Sequence, residues 1–332
     1  MLKFGLFGVG RIGRMRARIL AANHRVELAG IYDVDADAVA SAATETGSVS
    51  VDSVDALLGD PTLDAVCISS STSTHCDLIE GAARTGKAVF CEKPIHLDME
   101  RADACGAVLA ETGVPFQIGF NRRFDPNHGE VHRAARNGEI GRLEQAVISS
   151  RDPYPPPLRF LRGSGGIYRD MMVHDFDMAR FLFNEEPVEV TAMGSVLFDA
   201  RCEEFGDADS AMVVLRMASG ALCHVNCSRH CSFGYDQRIE LFGEGGMLVS
   251  ANPTRTSIER YTASGTSARD RLHPFFIERY EEAFTREIDA FVDAVEQGVK
   301  PSPGFDDGRR ALRVAEAAEE SARSGRTVRV GE

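Results

Sequence analysis

A carboxylate and an imidazole stand four residues apart at Asp170 and His174, which on a helix places them one turn apart on the same face. Such a pair can take a proton from an alcohol, the acid orienting the imidazole and stabilising its protonated form. Taken alone, the spacing is more often a solvated or structural contact. Asp177, three residues beyond His174, could orient it from a second side or cap local backbone. A primary amine, Lys93, stands in Phe90-Cys91-Glu92-Lys93-Pro94, where an apolar run ends abruptly in charge. The proline could hold that turn rigid, including through a cis bond. The third group is backbone: Gly8-Val9-Gly10-Arg11-Ile12-Gly13 spaces its glycines for a tight turn, a close approach by a pyrophosphate, and close helix packing. Twenty residues after Gly13, Asp33 can accept hydrogen bonds from ribose hydroxyls and would repel a 2′-phosphate, so the expected cofactor is NAD.

To present these groups the chain needs a sheet whose strand ends converge. Up to about residue 120, short apolar runs alternate with helical patterns across brief connections, the rhythm of a parallel sheet with helical crossovers. Strands are expected at residues 3–7, 26–32, near Val49, and at 65–68, 88–91 and 116–118. The glycine motif then follows the first strand and opens a helix bearing Ile12, Met15, Ile19 and Leu20 inward. Asp33 ends the second strand, and Lys93 lies at the carboxyl end of the fifth, where open α/β sheets bind ligands. Another helix is expected to start at Asp52 as its cap, with Val54, Leu57 and Leu58 inward.

After Phe124 the pattern changes. Four prolines fall between Arg151 and Leu158, and residues 188–259 give alternating strand-like runs, so an α+β domain on a largely antiparallel sheet is expected. Residues 168–183, 275–295 and 306–322 carry helical spacing. The expected division is 1–120 and 121–332, with the C-terminal helix able to pack back on the first domain.

The 332 residues hold 37 Lys plus Arg against 50 Asp plus Glu, a formal charge of -13 that disfavours nucleic acid and acidic membranes as partners. No apolar run reaches the ~18 residues needed to cross a bilayer, and the N-terminus reads as a first strand rather than a signal peptide. Eight scattered cysteines then point to reduced thiols in a cytoplasm. Cys223, His224, Cys227, His230 and Cys231 invite a metal reading. The surrounding sequence is strand-like, and in a strand Cys223 and Cys227 would lie ~13 Å apart, too far to share one zinc, so no metal is expected.

With the glycine fingerprint, Glu-Lys-Pro and the Gly165-Gly166 to Asp177 segment in this order, the full chain resembles the glucose–fructose oxidoreductase/inositol dehydrogenase family. The stretches Ile118-Gly119-Phe120-Asn121-Arg122-Arg123-Phe124-Asp125, Arg151-Asp152-Pro153 and Gly234-Tyr235-Asp236-Gln237 are similar to its inositol dehydrogenases. The resemblance implies a Rossmann domain, an open-faced sheet domain and a homotetramer assembled through that sheet. It implies Lys93, Asp170 and His174 as the catalytic set, with Asn121, Asp152 and Tyr235 also touching substrate. Ser70, Ser71, Thr72 and His75 would lie along the dinucleotide, together with Gly8, Gly10, Arg11, Ile12, Gly13, Asp33, Glu92 and Lys93. The implied reaction is NAD-dependent oxidation of one secondary alcohol of a cyclic polyol, myo-inositol first. Another inositol isomer or a pyranose is the alternative, and a non-catalytic dinucleotide-binding sensor is the alternative of another class.

Overall fold

In the computed structural model, which describes residues 1–331, the chain forms two compact units. One comprises Met1–Asn121 with Phe284–Arg310, the other Arg122–Ala283 with residues 311–331.

The first unit is built from strands β1 (Leu2–Phe7), β2 (Val26–Tyr32), β3 (Val49–Ser50), β4 (Ala65–Ile68), β5 (Ala88–Glu92) and β6 (Phe116–Gly119). Five helices alternate with them: α1 (Arg11–Ala22), α2 (Ala36–Thr46), α3 (Val54–Gly59), α4 (Thr72–Arg84) and α5 (Met99–Thr112). All pairings are parallel, in the order β3-β2-β1-β4-β5-β6, the doubly wound arrangement of a Rossmann domain. The strand order reverses between β1 and β4, and the loops that follow these two strands flank the switch point. Its strands are near-continuous apolar runs because both faces are covered. Phe291, from the 284–310 stretch, completes the core, its ring edge-on to Phe4 and Phe90 with centroids 5.9 Å away in each case.

Two details differ from the sequence reading. The helix expected at Asp52 is capped by Ser53, whose hydroxyl accepts from Ala56 N–H, and only Leu57 of its three apolar residues is buried. Helix α2 escapes a periodicity search because its inward stripe is Val39, Ala42 and Ala43, small residues with little hydropathic contrast.

In the second unit a seven-stranded sheet runs β12-β11-β7-β10-β9-β8-β15. Its strands are β7 (Leu143–Arg151), β8 (Pro187–Ser195), β9 (Ser210–Met217), β10 (Leu222–Ser228), β11 (Asp236–Gly243), β12 (Gly246–Ser250) and, after the others, β15 (Val328–Arg329). Among the described residues of this sheet only β7 and β10 pair in parallel. A separate exposed hairpin joins β13 (Glu259–Thr262) to β14 (Gly265–Arg269). Strand β7, absent from the sequence reading, lies inside the sheet between β11 and β10. Helices α6 (Pro126–Arg136) and α9 (Val173–Phe183) contribute Val131, Ala135, Phe176 and Leu182 to the core on one face. The opposite face alternates outward Met193, Met212, Val214, Phe242 and Met247.

The single helix expected over 168–183 is interrupted. The short helices α7 (Leu158–Leu161) and α8 (Gly166–Asp170) precede α9, and the chain turns at Met171-Met172. Asp170 and His174 therefore lie on either side of a break rather than on one continuous helix. The helical stretch at 275–295 is likewise divided at Tyr280 into α10 (Phe276–Arg279) and α11 (Glu281–Gln297), and α12 (Phe305–Ser324) follows.

A buried charge cluster ties the first unit together. The Arg16 guanidinium, fully buried, lies 2.6 Å from both Glu92 and Glu287 and stacks over the Phe90 ring. Burial outweighs the attraction of Arg16 and pushes the Glu287 carboxyl up to about 8. A carboxyl raised above its unfolded value stabilises the fold below the unfolded pKa and loses that contribution as pH rises through the folded one. Thermal unfolding should therefore show the melting temperature falling between pH 6 and 9, less steeply in Glu287→Gln. Arg16→Met, which leaves buried Glu287 and part-buried Glu92 without their cation, should cost about 3–5 kcal/mol. A flat pH dependence in the wild type would contradict this account of the cluster.

Candidate active site

In the first unit the expected dinucleotide residues converge at the switch point. The chain leaves β1 at Gly8 with φ +91°, and a Cβ there would come within 2.6 Å of the Ser69-Ser70 backbone. A Cβ on Gly13 would stand 2.0 Å from the Gly8 carbonyl oxygen, so α1 approaches the strand only because that position has no side chain. Around Gly10, by contrast, no described atom beyond the adjoining backbone and chain neighbours lies within 4 Å of a Cβ position, and the first turn of α1 holds no acid. The arrangement suits an anionic pyrophosphate over Gly10, Arg11 and Ile12. Asp33 accepts from Val9 N–H at 2.7 Å and from Asp35 N–H at 3.0 Å, one bond to each carboxylate oxygen, which leaves each oxygen able to accept again.

The loop after β4 carries Ser70 and Ser71 into Thr72, the first residue of α4, and Ser70 shares a 2.7 Å hydrogen bond with Thr74. His75 is buried, with Nδ1 2.8 Å from the Pro94 carbonyl and Nε2 3.1 Å from that of Ser70. Its ring thus clasps the Ser70 loop to the Glu92-Lys93-Pro94 turn, and burial holds it below the usual histidine range. The Lys93–Pro94 peptide is cis. Glu92 is engaged by Arg16, Nε to Oε1 at 2.7 Å, so its carboxylate anchors the base of that turn. Lys93 follows directly at the end of β5, and Asn121, just beyond β6, is buried.

In the second unit, sheet register does the gathering. Arg151 pairs with Ser228 on its parallel neighbour β10 and with Asp236 on its antiparallel neighbour β11. One residue past that row along each of β7 and β10, and one before it on β11, stand Asp152, Arg229 and Tyr235. Asp152 N–H donates to Ser228 O at 2.9 Å, holding this end of β7. Tyr235 is buried with its ring edge-on to Phe275 and Tyr280, and burial pushes its hydroxyl well above the usual range. Asp152 acts electrostatically on both Tyr235 and Arg229. Arg229 Nη1 in turn lies 3.5 Å from Asp170 Oδ2. Thus Asp152, Asp170 and Tyr235 share one region of this unit, and His174 enters from the first turn of α9.

Two features escaped the sequence reading. Asp177 has a partner far away in the sequence. It is buried in a bidentate pair with Arg123, Nε to Oδ2 at 2.8 Å and Nη2 to Oδ1 at 2.5 Å. Asp175 likewise receives Arg122 Nη1 and the Ser150 hydroxyl, while the Cys227 thiol donates to its other oxygen at 3.2 Å. The Arg-Arg and Asp-x-Asp motifs, over fifty positions apart, are therefore partners. Arg229 was passed over because its segment drew attention to cysteines. In the structure Cys223 and Cys227 are inward residues of β10, buried, with His224 on the opposite face and both thiols raised by burial.

The chain matches the description "Oxidoreductase family, NAD-binding Rossmann fold" over residues 2–120 and "GFO/IDH/MocA C-terminal domain" over 128–249. It is 44% identical over 329 residues to an inositol 2-dehydrogenase of Rhizobium meliloti, covering 99% of each chain. The crystal structure of a myo-inositol dehydrogenase from Corynebacterium glutamicum superposes with TM-score 0.96 at 43% identity, covering 100% of this chain and 99% of the other. A scyllo-inositol dehydrogenase from Lactobacillus casei, solved with NAD(H) and scyllo-inositol bound, gives TM-score 0.93 at 27% identity and full coverage of both. Two domains, a fingerprint formed as its glycines require, and full-length likeness converge: this chain is an oxidoreductase of the GFO/IDH/MocA family, with an NAD-binding Rossmann domain.

Proposed function

We propose that this protein oxidises one secondary alcohol of a cyclic polyol to a ketone with NAD, myo-inositol being the substrate and 2-keto-myo-inositol the product. The observation that carries the reading is the polar row formed by sheet register, where Asp152, Tyr235 and Arg229 stand together with Asp170 against Arg229, in a chain whose full-length relative is an inositol 2-dehydrogenase. A cyclitol carries a hydroxyl on every carbon, so its pocket needs several hydrogen-bonding side chains around the ring besides the groups at the reacting carbon. Asn121, Asp152 and Tyr235 fill the first role and Lys93, Asp170 and His174 the second. The favoured carbon of myo-inositol is the one bearing its single axial hydroxyl.

In this reading His174 removes the hydroxyl proton, Asp170 steadies the imidazole as it gains charge, and the Lys93 amine hydrogen-bonds the same oxygen as negative charge develops. The bound nicotinamide supplies the hydride acceptor. Gly8, Gly10, Arg11, Ile12 and Gly13 seat the pyrophosphate, Asp33 takes the ribose, and Ser70, Ser71 and Thr72 border the dinucleotide with the Glu92-Lys93 turn. His75 holds that border from behind.

The outward face of the second unit's sheet supports assembly into a homotetramer. Met193 faces Met212 across β8 and β9, and the exposed Val214, Leu222, Phe242 and Met247 extend the same surface. An apolar sheet face of this kind is a natural place for a second copy of the chain.

The reading is tested by initial rates across myo-, scyllo- and chiro-inositol and pyranose sugars with NAD. Myo-inositol should be turned over fastest. Lys93→Ala and His174→Ala should each lower kcat by ~100-fold or more while NADH affinity, read by fluorescence, stays near wild type. Near-normal turnover in either variant removes that residue from the mechanism. Reduction of NAD should exceed that of NADP, and Asp33→Ser should narrow the difference; equal use of both by the wild type would contradict the role of Asp33. Light scattering at micromolar concentration should give a tetramer, and a monomeric mass would contradict the proposed assembly.

A further inference from the structure

Among the buried cations that the catalytic reading leaves unused is Arg229. Arg229 is 1% exposed, yet it sits between two carboxylates: Nη1 is 3.5 Å from Asp170 Oδ2 and Nη2 is 3.3 Å from Asp207 Oδ2. Its Nε is buried with no hydrogen-bond acceptor, so the guanidinium is not held by a complete set of its own bonds. Burial works against its charge, and Asp170 and Asp207, followed by Asp152, outweigh that penalty. Such a site forms at the cost of desolvation and is balanced only by the acids it faces.

Asp207 supplies the rigidity. Its Oδ1 accepts from Ile167 N–H at 2.7 Å and from Ala208 N–H at 2.8 Å. Ile167 lies in the first turn of α8, and the turn before it needs Gly166, at φ +85°, where a Cβ would press to 3.0 Å from Asp207 Oδ1. Asp170 is the last residue of that helix. One aspartate therefore holds the start of α8 by its backbone and, through Arg229, reaches the carboxylate at its end. The Arg229 backbone is fixed too, its N–H donating to Asp209 O at 2.8 Å.

We infer that Arg229 is a positioning residue for Asp170: it holds that carboxylate turned by one oxygen toward β10, leaving the other to orient the imidazole. The inference rests on the proposed reading that Asp170 serves the proton step. It makes Asp207–Arg229–Asp170 a relay of position in which no proton moves. Lysine replaces the fork only in part, because one ammonium keeps the charge but does not span two carboxylates in the way a guanidinium does.

A double-mutant cycle separates this role from a general structural one. Arg229→Gln, Asp170→Asn and the double variant are compared by kcat on the polyol at saturating NAD, with NADH affinity and melting temperature measured on each. Arg229→Gln should lower kcat by about tenfold or more in the wild-type background and by less than about threefold in the Asp170→Asn background, since its effect passes through Asp170. Arg229→Lys should retain more activity than Arg229→Gln. If Arg229→Gln does not fold, the same cycle is run with Arg229→Lys under the same criterion of non-additivity. Equal losses in both backgrounds overturn the inference and leave the proposed function standing. Normal turnover in Asp170→Asn overturns the assigned role of Asp170, and the inference with it.

Discussion

Arg122 and Arg123 open the second unit with two adjacent positive charges, and both are neutralised by aspartates in the first turns of α9. These pairs are buried, so removing one partner leaves an uncompensated charge, a loss of about 3–5 kcal/mol. The Val173–Asp177 turn consequently has little freedom, and His174 is carried in the middle of it. Asp125 extends the same brace, capping α6 through Asn127 and His128 N–H and pairing with Arg279. The four residues Arg122–Asp125 thus pin three separate parts of the unit. The polar residues of the proposed pocket depend on this brace, because α9 packs against the strands whose ends present them.

The two units solve the presentation problem differently. In the first, parallel strands bring loop after loop to one edge, where Gly8 and Gly13 allow the close approach of backbone to backbone and His75 and Glu92 are fasteners behind the surface. In the second, one parallel pairing inside an otherwise antiparallel sheet is the decisive feature. Because β7 and β10 run the same way, Asp152 and Arg229 leave the sheet side by side, and β11, running the other way, delivers Tyr235 to the same row. A one-residue slip in any of these pairings would turn that side chain to the opposite face.

Much of the first unit was legible because its strands are short apolar runs closed by glycine or charge. The expected 65–68 is β4, and the expected 3–7 and 88–91 each differ from β1 and β5 by one residue. Legibility failed where the stabilising contact is distant in sequence. Arg229 contacts Asp170 and Asp207, and nothing near position 229 announces either. The Arg123 partner of Asp177 lies 54 positions upstream, where local spacing gives no sign of it. Helix α2 was missed for a local reason, its alanine stripe. The break at Tyr280 is marked by no glycine or proline. The order of fingerprint, Lys93 turn, Asp170 and His174 was readable from the chain alone, while the fasteners that hold these groups were not.

The account stands or falls on where the hydride originates. The most direct measurement uses myo-inositol deuterated only at the carbon bearing the axial hydroxyl, turned over with NAD, and follows the isotope by mass spectrometry of the reduced cofactor. The account predicts one deuterium per NADH and a slower rate than with unlabelled substrate when chemistry limits turnover. NADH formed without deuterium would place the oxidation at another ring carbon and contradict the account.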